Sequence, residues 1–179
     1  MPNIWLFIIS FDMVAMLKAF QLKVARSVTG IEIRELVPYL GVSRTIISRW
    51  EKQPPLSLIK TKRVSGDSIV FFFKQYNIVF PDDYTVKLIN EKFVKQSEHL
   101  TRFQLRAARA ALWLTQSTLA SLTNNSVSTI NYLETQDNTT FLNKTNKVVD
   151  DLKLKDFFQK GGVSFPDNLT ICISPNLKL

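Results

Sequence analysis

Residues 20–53 align with residues 103–136 at a constant spacing of 83 and without a gap. Phe20, Gln21, Leu22, Ala25, Arg26, Leu36, Ser43, Ile47, Glu51 and Gln53 coincide with Phe103, Gln104, Leu105, Ala108, Arg109, Leu119, Ser126, Ile130, Glu134 and Gln136. A chain that writes one pattern twice is expected to fold it twice, so this repeat limits the architecture to two related units. At a spacing of 85, Phe72-Phe73 meets Phe157-Phe158, and Phe80-Pro81-Asp82 with Thr85 meets Phe165-Pro166-Asp167 with Thr170. The units are therefore placed at about residues 17–89 and 100–174, each ending in the same short motif. The polar stretch from Asn90 to His99 reads as a linker or short helix, and residues 175–179 as a tail.

Each unit opens on a segment whose apolar residues recur at helical spacing, Phe20-Gln-Leu-Lys-Val-Ala-Arg-Ser-Val28 and Phe103-Gln-Leu-Arg-Ala-Ala-Arg-Ala-Ala-Leu112. Three or four further helices fit the remainder. Asn77–Leu88 and Gly162–Ile173 combine β-branched runs with a Pro-Asp turn, the signature of a small hairpin. The expected fold class is mainly α: two helical bundles, each followed by a short β hairpin or strand. An isolated hairpin is marginal in water, so the two are expected to pair with each other as a pseudo-dimer or with another chain as a homodimer.

The segments Leu36-Val-Pro-Tyr-Leu-Gly-Val-Ser-Arg-Thr-Ile-Ile-Ser-Arg-Trp-Glu51 and Leu119-Ala-Ser-Leu-Thr-Asn-Asn-Ser-Val-Ser-Thr-Ile-Asn-Tyr-Leu-Glu134 resemble the lambda repressor/Cro-like (XRE) helix-turn-helix. Each has Val37 or Ala120 in its first helix, then a tight turn, an N-capping Ser43 or Ser126, an inward Ile47 or Ile130 and a terminal Glu. Gly41 and Asn124 suit a turn with positive φ, and the serines start the next helix by accepting from its free N–H groups. The "Phe-Pro-Asp" strand is similar to the β tail of some small members of that family.

The resemblance implies that the second helix of each pair lies in the DNA major groove with its early outward side chains at base edges. In unit one these are Arg44, Thr45, Ser48 and Arg49. The two arginines are the first choices for readout, since arginine bonds guanine O6 and N7 together. Unit two offers Val127, Ser128, Asn131 and Tyr132. Those residues leave it either as a reader of adenine through Asn131 or as a packing or protein-contact module. Thr115-Gln116 resembles the family's helix start, where Thr caps and Gln touches a backbone phosphate. Unit one departs from it with Glu32-Ile33, and Pro38 falls inside the expected helix, an arrangement that costs about 3 kcal/mol or forces a kink. Arg26 with Glu51 and Arg109 with Glu134, each 25 apart, are implied by the resemblance to be structural ion pairs between the first and third helices. Trp50, Trp113 and the run Phe71-Phe72-Phe73 are expected in the core rather than as base-stacking platforms.

Composition bounds the rest. A net charge of +8 fits a polyanionic partner or simply a soluble basic protein. The excess sits in residues 1–96, with 14 Lys/Arg against 8 Asp/Glu, compared with 9 against 7 in residues 97–179. The one cysteine, Cys172, allows no intramolecular disulfide and no thiolate cluster, which fits a reducing cytoplasm. The lone His99 cannot build a histidine-rich metal site and reads as an exposed linker residue. The apolar run Ile4–Ile9 has no preceding Lys or Arg and is cut by Asp12, well short of the roughly 20 residues a spanning helix needs. Residues 1–16 are thus an apolar extension, either an extra helix or sequence upstream of a start at Met13 or Met16.

No Gly-rich phosphate loop, metal-ligand cluster or nucleophile with its base is visible, so neither enzyme, cofactor nor metal is expected. The expected function is sequence-specific DNA binding in transcription regulation. The alternative is a protein-interaction module, such as an antitoxin or scaffold, on a degenerate version of the same fold.

Overall fold

The computed structural model describes residues 17–59, 66–93, 96–146 and 149–177. The apolar extension at residues 1–16 lies outside them. Among the described residues the chain is mainly α, with eight α-helices and one small antiparallel sheet.

In the first copy, α1 (Ala19–Thr29) ends at Gly30, whose φ of 77° lets its N–H return to the Arg26 carbonyl. Next come α2 (Ile33–Leu40) and α3 (Arg44–Trp50). Between them Gly41 takes φ 62°, open only at strain to a residue with a Cβ. Pro38 sits within α2, and the helix runs through it to Leu40. The N–H it lacks would have reached the carbonyl of residue 34, which is exposed and within reach of water. Glu32 gives α2 no side-chain cap, but its own backbone N–H donates to Glu35 Oε1 at 2.7 Å. Helix α4 (Gly66–Lys74) and strands β1 (Ile78–Val79) and β2 (Thr85–Leu88) complete the copy.

The second copy repeats the order with α5 (Arg102–Ala111), α6 (Gln116–Leu122), α7 (Val127–Glu134), a 3-10 turn at Leu142–Lys144, α8 (Asp151–Lys160), β3 (Val163–Ser164) and β4 (Thr170–Ile173). Asn124 takes the place of Gly41 at φ 53°, and Trp113 the place of Gly30 at φ 55°. A left-handed Trp is strained, so its surroundings must hold it there. They do so through a hydrogen bond from Trp113 Nε1 to the Glu51 carbonyl at 3.0 Å, made across to the other copy.

The two hairpins join in one sheet of order β1-β2-β4-β3. Strands β2 and β4 pair antiparallel with Val86 opposite Ile171, its own counterpart at spacing 85, and with Thr85 opposite Cys172 and Lys87 opposite Thr170. That register puts an internal two-fold axis between Val86 and Ile171. Helix α1 packs on α5 around the same axis, and the buried apolar side chains of both copies form one core. Phe20, Leu22 and Ile47 from one copy and Phe103, Leu105 and Ile130 from the other are fully buried in it. Burying such a side chain contributes about 1.5–3 kcal/mol.

The repeated Gln-and-Phe-Pro-Asp pattern has a direct cause. Gln21 accepts from the Lys18 N–H through Oε1 at 2.9 Å, and its Nε2 donates to the Asp82 carbonyl at 2.7 Å. Gln104 does the same with the Thr101 N–H at 2.9 Å and the Asp167 carbonyl at 2.8 Å. One buried amide thus satisfies a helix start and the hairpin turn more than sixty residues away, where both groups would otherwise be costly orphans.

Two sequence expectations need correction, those for Phe71 and His99. Trp50, Phe72 and Phe73 are core, but Phe71 is 61% exposed because it falls on the outer face of α4. Trp113 packs half-buried against the core as expected, from a position beyond the end of α5 and between the copies. His99 is half-buried, with Nδ1 3.1 Å from Asp151 Oδ1, instead of lying free in a linker. Of the two readings of Asn90–His99, linker or short helix, the described residues show turns and bends, and Asn168 ties them down through bonds with the Ser97 N–H and carbonyl. Finally, no helix among the described residues is long and apolar enough to cross a membrane.

Candidate functional site

The short helix α3 is fixed at its start and along its inner face. Ser43 Oγ accepts from the Ile46 N–H, and the fully buried Ile47 anchors the inner face. At 100° per residue, anchoring Ile47 and Trp50 inward turns residues 44, 45, 48 and 49 away from the core. Arg44, Thr45 and Arg49 are accordingly exposed and Ser48 half-buried. Together with Lys52 and Ile33 they line a shallow groove that contains three cations and no carboxylate. Neither arginine forms an ion pair with a described carboxylate, so both guanidinium groups keep their donors for an incoming ligand. Lys52 was missed by the motif reading because it follows the helix; the spacing 45, 48/49, 52 was the available signal.

Behind this face stands the Arg26–Glu51 pair. It is bidentate, Nε to Oε1 at 2.6 Å and Nη2 to Oε2 at 2.8 Å, and it ties α1 to the end of α3. The hydrogen bond to Glu51 raises the Arg26 pKa in spite of burial. Arg109 and Glu134 form the same fork in the second copy, with Nη2 to Oε2 at 2.7 Å.

The corresponding face of α7 differs in chemistry. Val127, Ser128 and Asn131 are exposed, and Tyr132 is half-buried against the core. Ser128 Oγ is 2.8 Å from Oγ of the cap residue Ser126. Asn131 Nδ2 donates to Gln116 Oε1 at 3.4 Å, and Gln116 Nε2 donates to Glu134 Oε2 at 2.9 Å. Gln116, which follows the capping Thr115, is therefore turned toward the ion pair and the α7 face. Unit one has Ile33 there and no such relay. The structure brings Arg44, Thr45, Ser48 and Arg49 together on one face, and Gln116, Ser128, Asn131 and Tyr132 at a second one, cationic in the first case and neutral in the other.

A further cleft lies between α1 and α5. Its wall consists of Lys23, Arg26, Ser27, Gly30, Ile31 and Glu32 and of the residues 83 positions later. Burial lowers the pKa of Lys23 and of Arg106; the Glu51 carboxylate opposes this at Lys23 and Glu134 at Arg106, and Arg26 and Arg109 add to the lowering at both.

No family model matches the chain, and no curated protein or solved structure matches it either.

Proposed function

We propose that the chain is a sequence-specific DNA-binding regulator of transcription, built from two units like the lambda repressor/Cro-like helix-turn-helix, with α3 as its reading helix in the major groove. The observation that carries this reading is the α3 face. A short capped helix after a tight turn presents Arg44, Thr45, Ser48 and Arg49 outward with Lys52 beside them. Arg44 and Arg49 discriminate guanine by paired bonds to O6 and N7, Thr45 and Ser48 add single polar contacts, and Lys52 takes a backbone phosphate.

In this reading α7 is a second, weaker reader of A·T base pairs through Asn131, or a brace for α3. A protein-contact role for that side is favoured by Leu122 and Val127, 57% and 48% exposed beside a neutral face. Selecting bound duplexes from a random pool with the full chain tests the proposal. A guanine-containing consensus should emerge, and Arg44→Ala or Arg49→Ala should each weaken binding to it by about 1–3 kcal/mol while relaxing preference at one position. No enrichment, or equal loss on random duplexes, would overturn it. Capture of a protein that survives high salt, without DNA enrichment, would favour the contact-module reading.

A further inference from the structure

The cleft between α1 and α5 straddles the internal two-fold axis, since every residue of one wall has its counterpart in the other. Most of its charges cancel locally. Arg26 is neutralised by Glu51, Arg109 by Glu134, and Glu32 by Arg34 Nε at 2.9 Å. Two cations remain, Lys23 and Arg106, which are each other's repeat mates. The Arg106 Nε is buried without a hydrogen-bond partner among the described residues. Lys23 Nζ rests 4.9 Å from the centre of the Trp113 ring, a π face in place of a carboxylate. An unpaired buried guanidinium nitrogen and a half-buried ammonium, neither in an ion pair with a described carboxylate, make a pocket that can take an anion; Glu51 and Glu134, already forked to Arg26 and Arg109, act on them only from a distance.

The cleft also adjoins the reading face. Glu32, on its rim, is followed by Ile33, which lines the groove holding Arg44 and Arg49. On the other wall Thr115 is followed by Gln116, which bonds Asn131 of α7. On each side of the axis the cleft thus adjoins one of the two faces through consecutive residues.

We propose that Lys23 and Arg106 form a phosphate-binding cleft on the internal two-fold axis, occupied by the backbone of the DNA that α3 reads. This rests on the function proposed above, and its chemistry is that of any phosphoryl oxygen. Lys23 supplies a point charge, Arg106 supplies directional N–H donors from its guanidinium, and a phosphodiester oxygen supplies the counter-charge that neither cation has among the described carboxylates.

The test uses the full chain, the selected duplex and inorganic phosphate. Duplex affinity is measured against salt for the parent, for Lys23→Gln/Arg106→Gln, and for the charge-keeping Lys23→Arg/Arg106→Lys. Losing two phosphate contacts should shrink the slope of log K against log salt by about 2, and the charge-keeping variant should restore it. Trp113 fluorescence reports occupancy in parallel, with Trp113→Phe to assign the signal. Duplex should change it saturably in the parent and not in the glutamine variant, whose melting temperature shows that it is folded. An unchanged slope, with the parent still binding the duplex, overturns the cleft and leaves the reading helix standing. Failure of the parent to bind any duplex overturns the proposed function. A saturable response to inorganic phosphate alone overturns DNA as the occupant and makes the cleft a site for a small phosphorylated ligand. Responses to neither overturn the site altogether.

Discussion

Removing Glu134 tests how strongly the repeated Arg–Glu pairs tie the first and third helices together within each copy. In the folded chain its carboxylate takes two bonds from Arg109 and one from Gln116, and its side chain is 4% exposed. Glu134→Ala strands the Arg109 guanidinium, whose side chain is 14% exposed, with its Nη1 still donating to the Leu114 carbonyl. One-sided loss of such a buried pair costs about 3–5 kcal/mol. Glu51→Ala in the first copy should cost about 1 kcal/mol less, because Arg26 is 26% exposed and water partly replaces its partner. Urea unfolding of the full chain, followed by circular dichroism and by tryptophan fluorescence, measures both. At a slope of about 2 kcal/mol per molar, Glu134→Ala should move the midpoint by about 1.5–2.5 M. The double change Arg109→Met/Glu134→Leu removes both charges and should recover most of that loss. A Glu134→Ala midpoint within about 0.5 M of the parent, or a double variant no more stable than the single one, would refute the reasoning.

Three further outcomes follow from the same geometry. Gln104→Ala orphans the Thr101 N–H and the Asp167 carbonyl, and should cost about 2–4 kcal/mol in urea unfolding, with hydrogen exchange quickening at both the start of α5 and the β3–β4 turn. Gly41→Ala meets nothing within 4 Å, so its cost is conformational, about 1 kcal/mol, whereas Asn124→Gly at the matched turn should be neutral or slightly stabilising in thermal melts. Burial pushes the Asp167 carboxyl up, but its hydrogen bonds and Lys87, 3.2 Å away, outweigh that and hold it below the usual carboxylate range. A depressed folded pKa contributes stability that is present above the unfolded value of about 3.9 and is lost as pH falls through the folded one. Asp167→Asn should therefore flatten the acid side of the stability profile below about pH 4, measured by urea midpoints across pH, with little change in its shape near neutrality.

Local features were legible in the residues because they depend on spacing over a few positions. Ser43, Thr115 and Ser126 begin helices, Gly41 and Asn124 take left-handed turns, and Ile47 and Ile130 point inward. The Arg26–Glu51 and Arg109–Glu134 pairs were reached through the resemblance, since no local rule joins residues 25 apart. Phe71 was misplaced because three consecutive phenylalanines cannot all share one side of a helix. His99 was misplaced because its partner Asp151 is distant in sequence and anonymous there. Lys23 and Arg106 carry no local signal in the sequence, and only the packing of α1 on α5 brings them into one cleft.

The sequence by itself determined that there are two copies of one helical unit, where their helices begin and turn, and that one outward face carries Arg44 and Arg49 while the other carries none. Repetition, capping and helical period are properties of neighbouring residues, and they survive without any fold around them. Tertiary structure alone decided that the two copies share a sheet and a core, that Gln21 and Gln104 each bind a distant hairpin turn, and that a cationic cleft opens on the axis between them. Those outcomes depend on which exposed edges and apolar faces are buried against each other once the chain closes. Val86 meets Ile171 because pairing β2 with β4 covers two otherwise open strand edges, and every contact on the axis follows from that choice.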